Sequence, residues 1–359
     1  MDKLQEARKV INEVDAQMAE LFVRRMEAAE VIAEHKKAHG LPIFDAEREA
    51  EGIRTGTEHI DNDVLRGYYT DFLRDTMSIS RRYQYKLLQG MKVAYSGVEG
   101  AFAHIAASKL FPQAEKFAYP SFKAAYDSVV NGECDAVVLP LENSYAGEVG
   151  QVTDLMFSGP LFVNGTLALS VTHDLLAVEG ASLDTIKTVV SHPQALSQCD
   201  EYICKHGFEQ FPYENTAMAA KYVAELNDPT VAAIASGESA EMYGLKVVAE
   251  SINQSQINTT RFVVLARSED RSISKKPGAH FMLMFTVPNE AGCLARALNI
   301  IGSYGFSMHV MRSRPMKELL WQYYFYVEAE GDVRSYDGKC MIEALTVCCD
   351  KIKCVGSFA

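Results

Sequence analysis

The sequence predicts a multidomain chain. An all-α module covers residues 1–90, an α/β domain covers 91–268, and an α+β unit of ferredoxin-like strand order covers 279–359. Three observations support this division. The opening stretch repeats apolar residues at helical spacing and contains no strand-like run. From Gly90 the pattern changes to short β-branched runs, each followed by a turn and a helix opening. Ser268 to Ala279 is polar and carries Pro-Gly, which reads as a linker before a last stretch.

The first module opens on a long helix, Met1 to Gly40. Leu4, Ala7, Ile11, Val14, Met18, Leu21, Ala28 and Ile32 form the stripe of a helix packed along its length. Where that stripe calls for an apolar residue the sequence places Arg25, and Lys36, eleven residues on, projects at nearly the same angle. Such an arginine either snorkels to water or, if buried, must meet an anion to offset its desolvation. Arg8 precedes Arg25 by about 25 Å of straight helix and about 100° of rotation. It can serve the same kind of site only in another copy of the helix, which points to a dimer with shared sites.

Leu41-Pro42-Ile43 ends this helix. Asp45 is a natural N-cap for a short helix that carries Arg48 and Glu49 and runs to about Thr55. A third helix follows from about Asp63 to Gln89, with Ser80 and Gln84 on one face. Three helices bury little in one copy, so pairing is again expected. Arg8, Arg25, Lys36 and Arg48, with Asp45, Glu49, Ser80 and Gln84, suit a small, multiply anionic ligand bearing a hydroxyl. No nucleophile–base pair is among them, so catalysis there would act by holding a shape and stabilising developing charge.

In the middle domain, strands are expected at Lys92–Tyr95, Ala136–Leu139, Thr166–Val171, Thr188–Ser191, Val231–Ala235 and Phe262–Ala266. Helices are expected at Ala101–Leu110, Ser121–Asn131, Pro193–His206 and Thr216–Leu226. The alternation implies a mostly parallel sheet, in one domain or two lobes, with ligands bound beyond strand ends. Short polar runs stand at such ends: Pro140-Leu141-Glu142-Asn143-Ser144, Ser191-His192-Pro193-Gln194 with Gln198-Cys199, Glu214-Asn215-Thr216, and Asn258 to Phe262. Taken singly, each is weak; Glu214-Asn215-Thr216 could be a plain helix cap. The last stretch reads as strand His280–Val287, helix Ala291–Tyr304, strands Phe306–Arg314 and Leu320–Glu330, helix Gly338–Asp350 and strand Lys353–Ser357.

Composition narrows the function. Hydrophobic residues at 48% and charged residues at 23% describe a globular protein, and a net charge of −12 argues against a nucleic-acid binder. No run approaches the length of a membrane span and the opening has no apolar signal core, so a cytoplasmic protein without a membrane partner is expected. The eight cysteines lack metal-finger spacing and read as buried hydrophobes in a reducing compartment; no metal and no cofactor are expected.

Arg8, Arg25, Lys36, Asp45, Arg48, Glu49 and the Ser80-x-x-x-Gln84 pair resemble, in order and spacing, the all-helical chorismate mutases. The resemblance implies an intertwined dimer in which Arg25 and a second copy's Arg8 grip the two carboxylates of chorismate. Lys36 and Gln84 would donate to the breaking ether bond, and Asp45, Arg48 and Glu49 would settle the ring hydroxyl. The reaction is a cofactor-free Claisen rearrangement to prephenate. Lys92 to Arg267 resembles the prephenate dehydratases, through Glu142-Asn143-Ser144, Ser191-His192-Pro193-Gln194, Gln198-Cys199, Glu214 and Thr260-Arg261-Phe262. This implies two lobes like a periplasmic binding protein with the site in the cleft, where prephenate loses water and CO2 to give phenylpyruvate. Thr260 would be a positioned donor to the departing hydroxyl and Arg261 a carboxylate ligand. Glu142, Asn143, Gln198 and Glu214 would position the ring. After the turn Ser96-Gly97-Val98-Glu99-Gly100, Ala101-Phe102-Ala103 lacks the hydroxyls the family carries beyond the second glycine.

The last stretch resembles an ACT domain, the amino-acid-sensing module. Gly292-Cys293-Leu294 stands where the family has Gly-Ala-Leu, and Arg312-Ser313-Arg314-Pro315 where it has Glu-Ser-Arg-Pro. The implied effector is phenylalanine, with Arg312 reversing a charge beside it. Two rivals stay open: a dehydratase acting on arogenate, and a non-catalytic aromatic-acid sensor.

Overall fold

The computed structural model describes residues 3–88, 90–254, 258–316 and 322–359. Its contacts divide the chain into two units, Met1–Met91 and Lys92–Ala359. Among the described residues no helix is long and apolar enough to cross a membrane.

The first unit is α1 (Lys3–Ala38), α2 (Ala46–Thr57) and α3 (Asp63–Leu88); the expected helix ends at Met1 and Gln89 lie outside the described residues. Asp45 caps α2, its carboxylate accepting from the Arg48 N–H at 3.0 Å. Gly56 lets α2 approach α3, since a Cβ there would come within 2.8 Å of Leu73 Cδ1. The packed face of α1 is not the stripe expected from the sequence. Met26, Ala29 and Ala33 are its buried residues, the two alanines being small enough for a close approach. Leu4, Ile11, Val14, Met18, Leu21 and Ile32 face outward, 43–58% exposed.

The second unit begins with β1 (Lys92–Ser96), α4 (Phe102–Leu110), β2 (Glu115–Tyr119), α5 (Phe122–Val130), β3 (Ala136–Asn143), β4 (Gly147–Glu148), α6 (Gly150–Ser158) and β5 (Phe162–Ser170). The chain then crosses to a second lobe. This holds β6 (Asp174–Ala177), β7 (Thr188–Ser191), α7 (Pro193–Gln198), α8 (Asp200–His206), β8 (Glu209–Pro212), α9 (Thr216–Leu226), β9 (Val231–Ala235), α10 (Gly237–Tyr243) and β10 (Lys246–Ala249). It returns as β11 (Thr259–Ala266). The last elements are β12 (His280–Thr286), α11 (Cys293–Ser303), β13 (Met308–Pro315), β14 (Tyr323–Glu330), α12 (Tyr336–Leu345) and β15 (Lys351–Phe358). Leu320, where the sequence starts the strand that is β14, lies outside the described residues.

Two lobes thus form, but the main sheet is mixed rather than mostly parallel. β3 pairs in parallel with β1, whereas β11 runs antiparallel to both β3 and β5. The cause is the crossing: the chain leaves at Ser170 and re-enters at Thr259, its partner in the ladder, so β11 must run back. Two strands are longer than expected, and Glu142, Asn143, Thr260 and Arg261 consequently lie in paired strand rather than in loops. The expected helix Pro193–His206 breaks at Cys199. The second lobe has its own sheet, ordered β10-β6-β9-β7-β8.

The last stretch has the ferredoxin-like order β13-β14-β12-β15, yet it is not separate. β15 continues into β5 where Gly356 meets Val163, giving a ten-stranded sheet. Gly356 has φ 143°, and a Cβ there would stand 2.2 Å from the Val163 carbonyl oxygen, so only glycine permits this junction. Alternation along β12 supplies two cores. Phe281, Leu283 and Phe285 join Ala297, Ile301, Met341 and Leu345 of α11 and α12. Met282 and Met284 face the other way, with Val152 and Met156 of α6.

Candidate active sites

The helical unit gathers its cations at the packed end of α1. Arg25 Nη1 donates to the Ser80 hydroxyl and to the Thr76 carbonyl. The Lys36 ammonium donates to the Ile43 carbonyl. Burial lowers the pKa of both, and nearby carboxylates oppose the shift: Glu49 at Arg25, Asp45 and Glu49 at Lys36. Ser80 and Gln84 are buried, and the Gln84 Oε1 has no hydrogen-bond partner. A buried orphan acceptor is costly unless a ligand satisfies it. Arg81, missed from the sequence, is buried, pairs with Glu49 and stacks 5.3 Å from the Phe44 ring. Its phase on α3 beside Ser80 was the available signal. Asp45 is occupied as a cap. Arg48 lies exposed, bonded to Glu51 at 3.0 Å, and Arg8 is exposed far along α1.

In the second unit a cavity of about 450 Å³ opens between the lobes, where the chain crosses. Thr260, Asn143, Gln198 and Phe262 of the expected set line it, as do His192, Gln194, Asn215 and Thr216 from the same runs. Asn143 is the hub. Its Nδ2 donates to Thr260 Oγ1 at 2.9 Å and to Asn258 Oδ1 at 2.8 Å, while its Oδ1 accepts from the Tyr145 and Ala146 N–H groups. Gln198 Oε1 accepts from Asn258 at 3.1 Å and lies 2.9 Å from His173 Nε2. His173 was not expected; its place just beyond β5, in the crossing segment, was the signal. Burial keeps its pKa below the usual value, and its Nδ1 lacks a partner. Phe102, Phe122 and Phe262 give the cavity an apolar wall suited to a ring. Among the described lining residues there is no lysine or arginine. The helices α4 and α9 instead begin at the cleft, and α4 has no side-chain cap, so helix N–H groups supply its positive end.

Several expected site residues lie elsewhere. Arg261 does not face the cleft: it pairs bidentately with Glu328 of β14, and its Nε lies 2.8 Å from Glu142 without being aimed at it. Burial alone would lower the Arg261 pKa, but Glu328 outweighs it and holds the guanidinium firmly charged. Glu142 is committed to Arg261 and Arg312 rather than to a ring. The alternation of strand side chains is the reason, since neighbours of Asn143 and Thr260 must point to the opposite face. Cys199 is fully buried in the second lobe's core, its thiol pushed up to about 12 chiefly by desolvation, so it is no nucleophile. Ser144 is exposed, tied to Thr259 by paired bonds. Glu214 is exposed and outside the lining, and its neighbour Asn215 caps α9.

The expected effector residues divide likewise. Gly292 opens α11 with φ 84°, followed by half-buried Cys293 and Leu294. Ser313 and Pro315 are exposed, whereas Arg312 and Arg314 project from β13 into the dehydratase-like lobe. Arg312 meets Glu142. Arg314 lies 3.1 Å from Asp154 Oδ1 and 3.8 Å from Glu148, a residue of the cavity wall. Both arginines are thus engaged by that lobe, and Arg312 keeps a buried Nη1 without a hydrogen-bond partner.

A helical unit that gathers half-buried cations beside an unpartnered Gln84, in one chain with a two-lobed α/β unit holding a ring-sized polar cleft, has the architecture of an enzyme with two small-molecule sites. Residues 7–85 match the family model for chorismate mutase type II, and residues 93–270 that for prephenate dehydratase. A bifunctional chorismate mutase/prephenate dehydratase of Neisseria gonorrhoeae is 31% identical over 358 residues, covering 98% of this chain and 95% of that one. An arogenate dehydratase of Petunia hybrida is 35% identical over 228 residues, covering 64% of this chain and 58% of its own. The crystal structure of prephenate dehydratase from Arthrobacter aurescens, in complex with L-Phe, superposes with a TM-score of 0.68 at 26% identity, over 75% of this chain and 90% of that one. The chain belongs to the bifunctional chorismate mutase/prephenate dehydratase family. It is an enzyme of aromatic amino acid biosynthesis that isomerises chorismate to prephenate and converts prephenate to phenylpyruvate.

Proposed function

We propose that the two reactions use the residues gathered above, with Thr260 held by Asn143 in the interlobe cleft as the observation that carries the dehydratase assignment. Thr260 donates to the ring hydroxyl of prephenate as it leaves. The electron pair of the breaking C–CO2 bond moves through the ring to expel that hydroxyl as hydroxide, hydrogen-bonded by Thr260, so CO2 and an aromatic ring form together and a proton from solvent completes the water. The phenylalanine wall holds the ring, and the N-termini of α4 and α9 take over the carboxylate-binding role first expected of Arg261. In the helical unit Arg25 and Lys36 receive the carboxylate and ether oxygens of chorismate, Gln84 completes the seat, and Glu49, steadied by Arg81, faces the ring hydroxyl. Arg8 acts in a second copy, which the outward apolar stripe of α1 supports as a dimerisation face.

The βαββαβ stretch is proposed to sense phenylalanine as an ACT domain, with Gly292, Cys293, Leu294 and Ser313 toward the ligand and the two arginines serving the cleft wall. The L-Phe complex of the Arthrobacter protein supports this. Titrating phenylalanine against dehydratase rate tests it; an unaltered rate with no binding removes the sensing role. Arogenate is the second reading for the cleft. Glu148 lines the cavity; its Oε2 lies 3.8 Å from Arg314, but its Oε1 is buried without a hydrogen-bond partner, which leaves one carboxylate oxygen for an ammonium. Direct competition between prephenate and arogenate decides: a higher kcat/KM for prephenate supports the first reading, and the reverse establishes the second.

A further inference from the structure

One end of the ferredoxin-like sheet carries three groups that neither reaction uses. His280 starts β12, Glu330 ends β14, and the two are partners across the ladder. His309 joins them from β13, whose register slips between Met308 and Val310 and leaves it as the extra residue of a bulge. One ligating atom from each of the three lies within 4.8 Å of the others. His309 Nε2 is 3.5 Å from Glu330 Oε2.

His280 is already oriented. Its Nδ1 is 2.9 Å from the Gly278 carbonyl oxygen. A carbonyl only accepts, so in the neutral ring it is Nδ1 that carries the proton and Nε2 that keeps the lone pair. Imidazoles that ligate metals are fixed in the same way, by a bond from the other ring nitrogen. The ring is also steadied by Phe358, stacked at 5.4 Å.

We propose that His280, His309 and Glu330 bind one divalent transition ion of the zinc, nickel or cobalt class. Two imidazoles with one carboxylate match that class, whereas magnesium and calcium favour all-oxygen shells. The expectation of no metal, drawn from cysteine spacing, did not weigh these three residues because they are distant in sequence. The bound ion would clasp β12, β13 and β14 at one end, and β13 is the strand whose Arg312 and Arg314 hold the cleft wall. The plain alternative is a surface His309–Glu330 ion pair without a metal.

Calorimetric titration of the metal-stripped full chain with nickel chloride, repeated with zinc chloride, tests this. One ion per chain is expected, with a higher Tm in its presence. His309→Ala and Glu330→Gln should each weaken binding by more than about tenfold and remove the Tm rise. Their metal-free Tm should stay near that of the wild type, because both side chains are about half exposed. Cys204→Ser, which removes an exposed thiol, should change nothing. Absence of binding overturns the proposal. So does binding that survives in His309→Ala and Glu330→Gln, or that is lost in Cys204→Ser.

Discussion

Thr260 holds its proton tightly, and the side chain bonded to its hydroxyl is an amide rather than a base. What Asn143 supplies is direction: by donating to Thr260 Oγ1 it occupies a lone pair of the oxygen and leaves the hydroxyl proton to point at substrate. Asn143→Ala should therefore lower dehydratase kcat by about a hundredfold, the scale of one lost preorganised donor. KM should move much less, because the phenylalanine wall and helix ends are intact. Steady-state kinetics with prephenate read both. An unchanged kcat would remove Asn143 from its role. The place of Thr260 at the cleft was legible as a polar run at a strand start, a local property, whereas the stripe that singled out Arg25 faces outward and Arg25 packs on α3 instead. Arg261 was misread for a non-local reason: its partner Glu328 lies in a strand far along the chain, and which face it occupies depends on a register set by β3 and β5.

The strands and helices around the cleft are held from behind by the last stretch, and two contacts make this testable. Gly150 starts α6 where the Arg314 guanidinium passes, and a Cβ there would stand 2.1 Å from Nη1. Gly150→Ala should destabilise the wild type by displacing Arg314 from Asp154. In an Arg314→Ala background the same change should be neutral or stabilising, since alanine is the better helix residue by about 1 kcal/mol. Equal effects in both backgrounds, by denaturant titration, would separate the two residues. Lys353 of β15 donates to the Met156 and Gly159 carbonyls at the end of α6. Burial, then Lys351, lowers its pKa to about 8, against an ordinary 10.5. Between those values the unfolded chain holds more protons than the folded one, so this group's contribution makes stability rise with pH across that window. Below pH 8 its full cost is present. Lys353→Met should flatten the wild-type slope between pH 8 and 10.5, and an unchanged slope would assign it to other groups. None of these contacts was visible in the sequence, where Ser268 to Ala279 read as a linker to a separate unit. Gly356 makes the junction possible, but a single glycine in a strand does not say what approaches it.

At the scale of the whole molecule, the proposed dimer rests on the helical side. The outward residues of α1 form a contiguous apolar stripe, the one the sequence marks as packed, and such a patch is a candidate contact face. The periodicity marks the stripe as packed, but in this chain it faces outward, since periodicity cannot tell burial within a chain from burial against a neighbour. A dimer sharing sites through α1 should lose mutase activity on dilution. Mixing inactive Arg8→Ala and Arg25→Ala chains should restore about a quarter of the sites if subunits exchange at random and each dimer has two. Sedimentation with a mutase assay measures this; a monomer active at every concentration would remove the shared site.

The central claim is that one chain carries two separable active sites in sequence. Supplying chorismate to the Thr260→Ala and Arg25→Met proteins, and following chorismate, prephenate and phenylpyruvate in one time course, tests it most directly. The expected result is that Thr260→Ala consumes chorismate at the wild-type rate and accumulates prephenate, while Arg25→Met leaves chorismate untouched but still converts added prephenate. Phenylpyruvate formed at a near-normal rate by Thr260→Ala, or mutase activity retained by Arg25→Met, would contradict the assignment.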